Sequence, residues 1–131
     1  MNIDGGCHCG AIRYEGRVSP KLVTVCHCSD CQTISGAPYR VNVRVLLDNF
    51  NLSGTPKSYV KIGSSGDKVT TTFCEVCGAA LYSFKAGNDY VSLRIGGVAQ
   101  KAELPPTRQG FCGSALPWAF DISGIEKIPI N

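Results

Sequence analysis

With 131 residues, 44% of them hydrophobic and 18% charged, the chain has the balance of a folded protein rather than a disordered one. It is long enough for one core and short for two, so one domain spanning 1–131 is expected. The formal charge is +3, yet no two Lys or Arg residues are adjacent, so nothing supports a nucleic-acid surface.

The N-terminus lacks a basic segment followed by an apolar one, and no apolar run approaches the roughly 20 residues of a membrane span. The expected setting is therefore the cytoplasm, with no membrane partner. Thiols stay reduced there, so the eight cysteines read first as metal ligands, and a disulfide framework is the lesser alternative.

In chain order, Gly6-Cys7-His8-Cys9-Gly10 is the first cysteine cluster. Ala11 to Val18 alternates in part and reads as a strand that ends or bulges at Gly16-Arg17. Ser19-Pro20-Lys21 reads as a turn, and Leu22 to Val25 is a β-prone run leading into Cys26-His27-Cys28-Ser29-Asp30-Cys31. One helical turn is expected within Gln32 to Pro38, before Gly36.

Tyr39 to Val45 alternates cleanly. Tyr39, Val41, Val43 and Val45 point one way, and Arg40, Asn42 and Arg44 form the opposite, solvated side. Short strands follow at Phe50 to Leu52, Lys57 to Ile62, Val69 to Phe73, Leu81 to Phe84 and Tyr90 to Ile95. The stretch from Gly96 to Pro106 reads as loop, and residues beyond Ile125 as a tail. Fifteen glycines, seven prolines and the lack of helical periodicity predict an all-β, turn-rich fold with short helices or none.

Cys74-Glu75-Val76-Cys77-Gly78 has the spacing of a metal knuckle. Two sulfurs three residues apart suit one metal, and a glycine after the second accepts a left-handed backbone. Cys7 and Cys9 supply the other pair, since C-x-C can put two sulfurs on one side of the chain. Cys7, Cys9, Cys74 and Cys77 are thus expected to form a closed structural zinc site. His8 and His27, central in their C-x-C units, are assigned to packing or supporting hydrogen bonds.

Cys26, Cys28 and Cys31 make a second zinc set of three thiolates, and spacing leaves open whether Cys112 is the fourth ligand. Seven thiolates around two zinc ions would add roughly −3 and leave the loaded protein near neutral.

These motifs, with Arg13-Tyr14, Gln32, Gly36-Ala37, Phe73, Leu81, Ser114 and Pro117-Trp118 in the same order, resemble the glutathione-dependent formaldehyde-activating enzyme family (the centromere protein V/formaldehyde-activating domain). The resemblance implies a complex β fold of the Mss-four-like type, a structural zinc on Cys7, Cys9, Cys74 and Cys77, and a second, more labile zinc on Cys26, Cys28 and Cys31 with an open position. It also implies carbon–sulfur lyase chemistry on a small thiol such as glutathione and makes Cys112 a non-ligand.

One departure is the stretch Thr107 to Phe111, which lacks a histidine that family members often carry. Arg40, Arg44, Arg94 and Trp118 are candidates for contacting substrate, with a structural role the plainer reading of each. A non-catalytic zinc scaffold or protein-interaction module is the competing function, and exposed sheet edges leave a homodimer open.

Overall fold

In the computed structural model, which describes residues 1–130, those residues form nine strands, one short α-helix and five single 3-10 turns. The strands are β1 (Asn2–Gly6), β2 (Arg13–Cys26), β3 (Arg40–Leu46), β4 (Asn51–Ser53), β5 (Lys57–Ile62), β6 (Lys68–Phe73), β7 (Ala80–Lys85), β8 (Tyr90–Arg94) and β9 (Arg108–Gly110), with α1 at Ser29–Ser35. They form a sheet ordered β1-β2-β3-β8-β7-β6-β5, with β4 and β9 also on β2. Every pairing is antiparallel except that of β9 with β2. The all-β expectation stands.

β2 organises the sheet. Its first residues lie between β1 and β4, and its last between β3 and β9. The expected turn at Ser19-Pro20-Lys21 is not a reversal: the strand continues and its register against β3 shifts between Val18 and Val23. Proline lacks the N–H that a ladder needs, and β2 takes up three extra residues here relative to β3 without ending. Two further strands have no counterpart in the sequence reading: β1, which leads into the first cysteine cluster, and β9, which lies beyond the loop expected from Gly96 to Pro106.

Pairing register divides the sheet into two chemically distinct faces. Val23 opposes Val43, which opposes Leu93, while Val45 opposes Val91. All five are buried, and with Ile3, Ile12, Tyr14, Leu81, Val98 and Leu104 they form the core. On the other face, Cys26 opposes Arg40 and Asn42 opposes Arg94; Ser92 pairs with Arg44 and Ser83, and Ser83 with Thr71. On β3 this side was expected to be solvated: Arg44 is exposed and lies 4.0 Å from the Tyr90 ring centroid, while Arg40 and Asn42 are half-buried. On the neighbouring strands Arg94, Ser83 and Thr71 are buried.

β1 is held by a close backbone approach. A Cβ on Gly5 would lie 2.1 Å from the Gly97 carbonyl oxygen and 2.8 Å from the Tyr14 hydroxyl. We therefore expect Gly5→Ala to cost about 1–3 kcal/mol through forced displacement. Gly96→Ala, with nothing within 4 Å, should stay within about 0.5 kcal/mol. Denaturant unfolding of the two variants checks this.

Candidate metal centres

All eight cysteines are free thiols, and two groups of them converge. Cys7, Cys9, Cys74 and Cys77 form one, and Cys26, Cys28 and Cys31 the other. Within each, the sulfurs lie within 4.8 Å of one another, an arrangement that could hold a metal ion.

The four-cysteine group joins two distant turns. Cys7 and Cys9 follow β1, where the Ile12 N–H donates to Cys7 Sγ at 3.2 Å and the Cys7 N–H to the Ile12 carbonyl at 3.0 Å. Cys74 and Cys77 lie between β6 and β7, closed by Gly78 N–H to the Cys74 carbonyl at 2.8 Å. Gly78 has φ 76° with open space around it, so backbone handedness, not room, calls for glycine there. The Cys7–Cys9 and Cys9–Cys74 sulfurs are 3.6 and 3.7 Å apart. A tetrahedron of sulfurs about 2.3 Å from zinc has edges of ~3.8 Å, so the pocket fits that ion.

The three-cysteine group is built on the end of β2 and the start of α1. Cys28 is the helix N-cap, its Sγ accepting from the Cys31 N–H at 3.3 Å. The helix begins earlier than expected and ends at Gly36, φ 65°. Cys26 Sγ lies 3.5 Å from Cys28 Sγ and 3.0 Å from Cys31 Sγ. The first edge suits zinc; the second is contracted, as for a Cys31 thiol donating to a Cys26 thiolate. That hydrogen bond holds Cys26 below and Cys31 above the usual thiol pKa, with burial also raising Cys31.

Cys112 does not join either group. It is exposed rather than a buried apolar residue, and it follows Phe111, whose φ of 54° is the one positive value among the described non-glycine residues. Three sulfurs converge, and that of Cys112 lies apart from them.

His27 is 1% exposed and belongs to neither group. Its Nε2 pairs with Gln109 Oε1 at 2.9 Å, and its ring packs against Tyr39 and Phe120. Gln32 donates from Nε2 to the His27 carbonyl at 2.8 Å and the Ser114 carbonyl at 3.0 Å. Gln32 and β9 together hold the Phe111–Ser114 segment beside the three cysteines. Sequence reasoning missed this support because its partners are about eighty residues away.

A cleft of about 770 Å³ borders Cys26, Cys28 and Cys31. Arg40, Lys61 and Lys85 bring positive charge to it, and Phe84 and Phe111 bring apolar surface. Its one acid, Asp30, is paired with Lys61 at 2.8 Å. Arg44, Arg94 and Trp118, candidates from sequence, do not line it, though Arg94 donates to Ser83 and to the Ser92 carbonyl, both residues of its wall.

The family model described as glutathione-dependent formaldehyde-activating enzyme matches residues 2–114. The chain belongs to this family. The match contains all three cysteine motifs and stops short of Pro117-Trp118, which the sequence resemblance had included. A relative from Halomonas elongata, provisionally named a glutathione-dependent formaldehyde-activating enzyme, is 31% identical over 93 residues, covering 64% of this chain and 57% of that protein. The chain thus aligns with little more than half of that curated relative. A crystal structure of a Rhodobacter sphaeroides protein superposes with a TM-score of 0.62 at 17% identity, covering 81% of this chain and 98% of the other. That likeness concerns the fold. No helix among the described residues is long and apolar enough to cross a membrane.

Proposed function

We propose that this member of the family is a zinc-dependent protein of carbon–sulfur lyase type, which forms or cleaves the S-hydroxymethyl adduct of glutathione or a related small thiol. In this reading the chain acts as a single domain in a reducing cytoplasm. Cys7, Cys9, Cys74 and Cys77 hold a structural zinc, and Cys26, Cys28 and Cys31 hold the functional one. The observation that carries the reading is a group of three converging sulfurs that borders a cationic cleft.

A zinc ion held by three cysteines would keep a fourth, incoming sulfur as thiolate at neutral pH. Three anionic ligands also damp Lewis acidity, which favours thiolate chemistry over amide hydrolysis. The protein's own residues position the reactants. Arg40, Lys61 and Lys85 are placed to meet the carboxylates of a glutathione-like peptide, while Phe84 and Phe111 offer apolar walls. The substrate sulfur attacks the carbonyl carbon of formaldehyde, a C–S bond forms, and the carbonyl π pair becomes an alkoxide that takes a proton from solvent. Cleavage is the reverse.

With glutathione and formaldehyde, exchange spectroscopy by NMR should show adduct interconversion faster than the uncatalysed background, in proportion to protein and absent in Cys28→Ser. An unaccelerated rate would remove formaldehyde as the electrophile.

A further inference from the structure

The polar face of the sheet buries a positive charge with no carboxylate to balance it. Arg94 is 6% exposed. Its Nη1 donates to Asn42 Oδ1 at 2.7 Å, the Ser92 carbonyl at 3.0 Å and Ser83 Oγ at 3.3 Å, and its Nη2 to Thr71 Oγ1 at 3.2 Å. Every acceptor is neutral. The Nε atoms of Arg94 and Arg40 are both buried without a hydrogen-bond partner. The ion pairs among the described residues, Lys57–Glu75, Lys61–Asp30 and Lys85–Asp67, involve neither arginine.

A buried cation is costly unless an anion faces it. Burial and then Arg40 work against the charge on Arg94, bringing its pKa down to about 9, whereas Cys31 and Cys26 support it. Arg40 is the cross-strand partner of Cys26 and lines the cleft beside Cys26 and Cys31. The other charged groups on the cleft, Asp30, Lys61 and Lys85, are engaged in ion pairs.

We infer that Arg40 and Arg94 form a cationic floor under the three-cysteine centre that makes it accept an anionic thiolate in preference to a neutral ligand. The inference rests on the zinc reading above and deepens it. By formal charge, three thiolates and zinc carry about −1, and the two arginines bring the assembly to about +1. One thiolate neutralises it, whereas water or an imidazole leaves the excess charge buried. Arg40 and Arg94 are thus positioning residues that act through the metal-binding cysteines.

The test uses full-length protein loaded with cobalt(II), whose visible absorption reports the ligands. Wild type, Arg40→Gln, Arg94→Met and Arg94→Lys are each titrated with 2-mercaptoethanol and, separately, with imidazole. We expect Arg40→Gln and Arg94→Met to weaken thiol binding by at least about tenfold, with imidazole binding unchanged or tighter and Arg94→Lys near wild type. Equal thiol affinity in wild type and both charge-removing variants overturns the inference and leaves the proposed function standing. A wild-type cobalt centre that takes up no thiol overturns the open-site reading and this inference with it. Should Arg94→Met fail to fold, Arg40→Gln, at a half-buried position, carries the comparison.

Discussion

Removing metal from the Cys7, Cys9, Cys74 and Cys77 cluster should unfold the protein rather than merely silence it. Cys7 and Cys74 are buried, and the cluster joins the end of β1, one border of the sheet order, to the β6–β7 turn near the other. Cys9 and Cys74 are 65 residues apart in sequence. A zinc bound there therefore closes a long loop and neutralises thiolates that would otherwise repel one another in the core. Structural zinc sites in small peptides contribute about 10–16 kcal/mol at neutral pH, comparable with or above the usual net stability of about 5–15 kcal/mol. Strong chelation, or Cys74→Ser, should abolish the cooperative melt and collapse the far-ultraviolet circular dichroism. A metal-free protein with native dichroism and an unchanged melting point would contradict this assignment.

The second large effect should be of the opposite kind: Cys28→Ser should eliminate activity and one bound zinc while the fold persists. Cys28 caps α1 through its sulfur, and serine is a favoured N-cap, so the helix start survives. The remaining two sulfurs are too few to retain the metal. Cys31→Ser is a less clean probe, because residue 31 is 1% exposed and an unpaired buried hydroxyl costs about 1–3 kcal/mol. Metal analysis together with thermal melting should show one zinc lost from Cys28→Ser and a melting point within a few degrees of wild type. Loss of the cooperative melt in this variant would mean that the three-cysteine group is structural too.

Five strands were legible from sequence: β3 from its clean alternation, and β5, β6, β7 and β8 as β-prone runs between turn residues, all close to where they were expected. So were both cysteine groupings, because C-x-C and C-x-x-C spacings limit where sulfurs can point. β1 and β9 were not. Each relies on main-chain pairing to β2, and Gly5, Gly6 and Gly110 hide any side-chain period. The same limit concealed the continuity of β2 through Pro20, since a register shift and a turn draw on the same residue types. Arg94 could not be told from Arg40 or Arg44 as the buried arginine. Its environment is assembled from Asn42 on β3, Ser83 on β7 and Thr71 on β6, a combination fixed by topology. Spacing alone left Cys112 undecided because a lone cysteine has no partner to be spaced from; the family resemblance made it a non-ligand, and the left-handed Phe111 beside it is a purely structural fact.

The central claim is that the chain holds two unlike zinc sites, one closed by four cysteines and one left open by three. Native mass spectrometry of the as-isolated protein beside Cys112→Ser and Cys28→Ser tests it most directly. The account predicts two zinc ions in wild type, two in Cys112→Ser and one in Cys28→Ser. One zinc in Cys112→Ser would make residue 112 the fourth ligand and close the site, and two in Cys28→Ser would remove the three-cysteine centre altogether.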